Sequence, residues 1–110
     1  MKHTIAVVTS TRAEYGLLRG VLQALYTDPE VQLQLLVTGT HLSKAHGQTV
    51  SEIEADGIPS AARLPILPET GTEPVAETIA RTVQVFDACF AQNAPDALLL
   101  LGDRFEIFAV

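Results

Sequence analysis

Cysteine, cations and long apolar runs are all scarce in this sequence. With one cysteine, Cys89, in 110 residues, an internal disulfide framework and a multi-cysteine zinc site are excluded, since each needs at least two thiols. Cys89 lies in the apolar helical pattern FDACFA and is expected in the core. Seven Lys and Arg against thirteen Asp and Glu leave a formal charge of −6. That excludes a broad nucleic-acid or anionic-membrane surface, because such surfaces need clustered cations to displace counterions or meet acidic headgroups. No apolar run reaches the roughly 18 residues of a membrane-spanning helix. The opening MKHTIAVVTST has no secretory cleavage pattern, since its apolar segment runs directly into polar turn residues. A cytoplasmic location is expected.

What is present is the makeup of an ordinary globular domain, 47% hydrophobic and 18% charged, with length for one core and not two. The sequence stops at RFEIFAV inside an apolar helical pattern, without a Gly, Asn or Pro stop or a last-turn cation, and so reads as a fragment. Residues 4–9, TIAVVT, form a β-branched strand. EYGLLRGVLQALYTDPE then places Leu18, Val21, Leu22 and Leu25 on one helix face, ending near Asp28-Pro29. VQLQLLVTG is a second strand, THLSKAHGQ a loop, and TVSEIEADG a short helix closed by Gly57. A third strand falls within residues 61–67, where Pro65 assigns it to a sheet edge. PVAETIARTVQVFDACFAQNAP is the longest helix, with apolar positions Val75, Ile79, Val83, Phe86 and Phe90. DALLLL reads as a strand covered on both faces, and GDRFEIFAV turns into a last helix.

Strands alternating with helices predict a parallel sheet between helical layers, an α/β three-layer domain of Rossmann type spanning residues 1–110. Ligands in such sheets bind beyond the carboxyl ends of the strands, so the chemistry belongs in TSTRAEYG, TGTHLSKAHG and LGDRFE. The first loop lacks both GxGxxG and the GxxxxGK[ST] phosphate loop, which argues against a nicotinamide or P-loop enzyme. It offers instead the Ser10 and Thr11 hydroxyls and Arg12 as a fork-shaped donor. Gly16 is expected in the first helical turn, where a missing side chain admits a ligand closely. Arg12 is read either as a ligand contact or as a surface arginine paired with Glu14. In GDR, Asp103 combines helix-capping with acid/base capacity beside Arg104. His41 and His46, with Lys44 between them, lack the register and third ligand of a metal site; a sugar or phosphate contact fits them better, and no metal is expected.

Together TSTRAEYGLL, VTGTHLSKAHGQTVSEIEADG and LGDRFEIFAV resemble the N-terminal half of the hydrolysing UDP-N-acetylglucosamine 2-epimerases of sialic acid synthesis. The resemblance covers nearly the whole sequence. It implies the first of two Rossmann-type domains of a glycosyltransferase B fold, with a nucleotide sugar bound between them. It further implies UDP contacts from Arg12, Gly16 and Arg104, a catalytic role for Asp103, a weaker sugar contact from His41, no cofactor, and a homo-oligomer, dimer or tetramer. The implied reaction eliminates UDP to leave a glycal, which water converts to N-acetylmannosamine. Leu101 stands where some relatives carry histidine, and carboxylates beyond Val110 would complete the site. The same motifs suit a UDP-diacetamido-trideoxy sugar on the way to legionaminic acid. A non-hydrolysing epimerase and a noncatalytic nucleotide-sugar module are the remaining readings of these motifs.

Overall fold

Alternation of side chains along the two central strands divides the core into two clusters, one on each face of a single sheet. In the computed structural model, which describes residues 3–42, 50–67, 73–102 and 105–110, strand β1 spans His3–Thr9 and strand β2 Val31–Thr38. They pair in parallel from His3 opposite Val31 to Thr9 opposite Val37. Helix α1, Arg12–Thr27, connects them. Helix α2, Val50–Ala55, leads to β3, Ser60–Leu64, and helix α3, Val75–Gln92, leads to β4, Ala97–Leu99; α4 is Phe105–Ala109. All pairings are parallel, in the order β3-β2-β1-β4. The expected alternation, and β3 at an edge with Pro65 just past its end, are both found.

On one face Val7, Leu35 and Val37 meet Tyr15, Leu18 and Leu22 of α1 together with Ile53 and Ile58. On the other, Ala6, Val8 and Leu36 meet Ile66, Phe86 of α3 and Ile107 of α4. The two-residue period of β1 thus sends Val7 to one layer and Ala6 and Val8 to the other.

Three details depart from the apolar patterns. In α1 the buried stripe is Tyr15, Leu18 and Leu22, whereas Val21 is exposed. In α3 the face toward the sheet is Thr78, Thr82 and Phe86, and Val75 and Val83 are exposed. Val21 and Val83 each lie one residue, about 100°, round the helix from the buried Leu22 and Thr82, and Val75 is the first residue of α3. Threonines are tolerated against the sheet because their hydroxyls are satisfied locally: Thr82 Oγ1 donates to Thr78 O at 2.7 Å and Thr78 Oγ1 to Glu73 Oε1 at 2.6 Å. Glu73 is also gripped by Arg81, which holds its carboxyl below the usual range and in turn donates to Ile66 O at 2.7 Å. The third departure is β4, which is an edge strand bonded to β1 and not a strand covered on both faces. Leu99 packs into the first cluster, but the described helices on the opposite face leave Leu98 and Leu100 over a third exposed. Cys89 is half-buried at the margin of the second cluster, and burial pushes its thiol up.

Candidate functional site

The strand order contains one reversal: β2 and β3 extend from one side of β1, and β4 lies on the other. At such a switch point the loops leaving the two adjacent strands diverge and open a crevice at their carboxyl ends. Here the diverging loops are Ser10 and Thr11 after β1 and residues 100–102 after β4.

The first of these is shaped by a helix cap. Thr11 has extended dihedrals (φ −134°, ψ 157°), and its hydroxyl accepts from the Glu14 N–H at 3.2 Å. Glu14 reaches back to Ser10, accepting from its N–H at 3.4 Å and from its hydroxyl at 3.3 Å. Thr-Arg-Ala-Glu is thus a capping box whose acidic member is shifted one residue toward the strand. The Glu14 carboxylate, 7% exposed, lies beneath the turn.

Arg12 is the first residue of α1, where backbone N–H groups lack intrahelical acceptors and the dipole favours an anion. Its side chain lies outside the described residues. Gly16 opens the second turn of α1 and not the first, on an exposed face where an added Cβ would meet nothing within 4 Å. On the β4 side, Gly102 has φ +103°, and a Cβ there would lie 3.5 Å from Glu14 Oε1. The loop after β4 therefore passes directly over the Glu14 carboxylate. Asp103 and Arg104, which follow, lie outside the described residues, as do Lys44 and His46.

The loop after β2 packs against the same turn. It opens with a single 3₁₀ turn, Gly39–His41, in which Gly39 (φ +61°) lies against Ser10 and the His41 N–H donates to Ser10 O at 3.4 Å. The His41 imidazole is 1% exposed, with Nε2 2.9 Å from Thr9 Oγ1 and its ring edge-on to Tyr15 at 6.1 Å between centroids. Among the described residues no group of three or more His, Cys, Asp or Glu could hold a metal ion. No described helix is long and apolar enough to cross a membrane.

Residues that sequence reasoning passed over stand just beneath this site. Tyr15 is buried, donates its hydroxyl to Asp56 beyond the end of α2, and lies under the Arg19 guanidinium at 5.3 Å. Arg19 Nε completes the cluster, 2.8 Å from Asp56 Oδ2. Only the Thr11-to-Glu14 spacing carried a local signal for any of these contacts. Burial first, and then the bond and charge of Asp56, push the Tyr15 phenol up to about 12 from 10.0. The folded state therefore holds this proton more tightly than the unfolded chain. Its stabilisation is complete below about pH 10 and is lost as the pH rises toward about 12, a contribution of roughly 2 kcal/mol. Urea midpoints measured across that interval should fall in the native protein and fall less in Tyr15→Phe.

The fold is a Rossmann-type α/β domain with a crevice between the loops after β1 and β4. Residues 23–110 match the family model described as UDP-N-acetylglucosamine 2-epimerase, and the chain belongs to that family. It is 39% identical over 110 residues to the UDP-N,N'-diacetylbacillosamine 2-epimerase (hydrolyzing) of Legionella pneumophila, covering 99% of this chain and 29% of that one. It is 38% identical over 107 residues to the polysialic acid biosynthesis protein P7 of Escherichia coli, covering 96% and 27%. A crystal structure of a UDP-N-acetylglucosamine 2-epimerase superposes with a TM-score of 0.82 at 26% identity, over 99% of this chain and 29% of the other. The chain thus spans less than a third of the length of these proteins.

Proposed function

We propose that this chain forms one wall of the nucleotide-sugar site of a hydrolysing epimerase, which converts UDP-N-acetylglucosamine and water to N-acetylmannosamine and UDP. The observation that supports this reading best is the meeting of the β1 and β4 loops at the switch point, where Gly102 lies over Glu14. In the sequence Arg12 and Asp103-Arg104 follow directly on these loops. In the proposed reaction a base takes the C2 proton and the C1–O bond breaks with its electron pair leaving on UDP, giving a glycal. Water then adds at C1 while an acid returns a proton to C2. Arg12, Arg104 and the α1 N-terminus would neutralise the departing diphosphate, Gly16 would leave room for it, and Asp103 would move a proton. His41, buried and engaged by Thr9, favours shaping the loop over touching the sugar. The net charge of −6 is no obstacle, since charges beyond a Debye length of about 8–10 Å are largely screened. A second domain facing this one, assembly into a homo-oligomer and a cytoplasmic location belong to the same proposal.

A second reading, the same chemistry on a UDP-diacetamido-trideoxy sugar, is favoured by the 39% identity to the Legionella enzyme named for such a substrate. Incubating the protein in its natural full length with each UDP-sugar, and following free sugar and UDP, separates the two readings. Recovery of UDP-linked sugars alone would sink the hydrolytic one. Arg12→Ala and Arg104→Ala are each expected to weaken UDP binding by roughly ten- to a hundredfold by calorimetry, the scale of a lost charge-assisted hydrogen bond.

A further inference from the structure

Tyr15 lies at the meeting point of three pieces of chain, the start of α1, the end of α2 and the turn after β2. It belongs to the first turn of α1, directly after the capping box. Its hydroxyl donates to Asp56, tying α1 to the end of α2. Its ring meets that of His41 at 6.1 Å between centroids with the planes perpendicular, and His41 Nε2 is held by Thr9 at the last position of β1 while its N–H reaches Ser10 O. Arg19 completes the arrangement, bonded to Asp56 and lying over the Tyr15 ring. A phenylalanine would fill the same core volume. Burying a phenol at 1% exposure is costly unless its hydroxyl is satisfied, so the O–H to Asp56 is the feature a packing role leaves unexplained.

We infer that Tyr15, held by Asp56 and Arg19, is a positioning residue for nucleotide binding: it sets His41 and the Gly39–His41 turn against Ser10, and through Ser10 the cap that presents Arg12. Tyr15 itself does not touch the ligand. The inference rests on the nucleotide-site reading, and its test is built to separate the two.

UDP dissociation constants would be measured for Tyr15→Phe, Asp56→Asn, the double variant and Arg12→Ala in the full-length protein, alongside melting midpoints and the imidazole nitrogen resonances of His41. Tyr15→Phe and Asp56→Asn should each raise the dissociation constant by about two- to tenfold, the range of one net hydrogen bond. The double variant should be no worse than the poorer single one, and the His41 resonances should shift in all three. An unchanged dissociation constant in Tyr15→Phe with only a lower melting midpoint would overturn the inference, leaving the pair a structural brace. If Arg12→Ala abolishes binding in that case, the nucleotide site survives and only the positioning role falls; if Arg12→Ala also binds normally, the site reading falls as well. Should Tyr15→Phe fail to fold, Asp56→Ala decides the matter, because it removes the acceptor of the Tyr15 hydroxyl and leaves the ring in place. Normal UDP affinity and unshifted His41 resonances in that variant would equally refute the positioning role.

Discussion

Gly39→Ala is expected to destabilise the protein by roughly 2–5 kcal/mol and to carry nucleotide affinity down with it. Two costs combine at this residue. Its φ of +61° is a left-handed conformation that costs an L side chain about 1–2 kcal/mol. An added Cβ would also lie 2.7 Å from Ser10 Cβ and 2.8 Å from Ser10 O. The second contact is with backbone, so it is relieved only by moving the exit of β1, which is the segment that caps α1 and leads into Arg12. Overpacking of this kind adds about 1–3 kcal/mol. Gly20→Ala is the internal control: there a Cβ meets nothing within 4 Å, and helix propensity favours alanine by up to about 1 kcal/mol. Urea unfolding of the two variants should move in opposite directions. A Gly39→Ala protein with native stability would mean that the β1 and β2 loops yield to each other, and the site would then be less rigidly built than its contacts imply.

Asp103→Asn should lower kcat by about 10²–10⁴ while UDP affinity changes only a few-fold. Asparagine caps a helix about as well as aspartate, so any structural duty at the start of the last helix is retained, and what is lost is the ability to accept and return a proton. Gly102, the residue before it in the sequence, lies over the buried Glu14 at the one reversal in strand order. Steady-state kinetics on the full-length enzyme would decide it. A variant with native kcat would remove Asp103 from the proton-transfer chemistry and shift that burden to other carboxylates.

Much of this architecture is legible along the sequence because its causes are local. β-branched and apolar runs alternating with helical periodicity are enough to predict a parallel sheet. The same runs locate the three loops at the carboxyl ends of the strands, whereas β3 ends at Leu64, so that Pro65 stands outside the edge strand. The spacing of Thr11 and Glu14 foreshadows the cap. Helix faces are less legible where polar residues turn inward. Thr78 and Thr82 of α3 are buried in place of Val75 and Val83, since Thr82 bonds to Thr78 O within the helix and Thr78 to Glu73 just before it, which lets both be buried at small cost. The coverage of DALLLL is illegible for a related reason, because apolar composition states what a strand can tolerate on its faces and not which neighbours lie over them.

The sequence by itself determined the element order, the parallel sheet and the strand ends beside which Arg12 and His41 lie, because periodicity and turn chemistry act over a few residues. Only the tertiary structure decided that β4 pairs on the far side of β1 and so creates the switch point. It alone decided that Glu14 lies beneath Gly102, and that Tyr15 finds Asp56 from 41 residues away while His41 turns inward to Thr9. Those contacts join residues far apart in the chain, and their partners are selected by the packing of whole helices against the sheet, which no local pattern encodes.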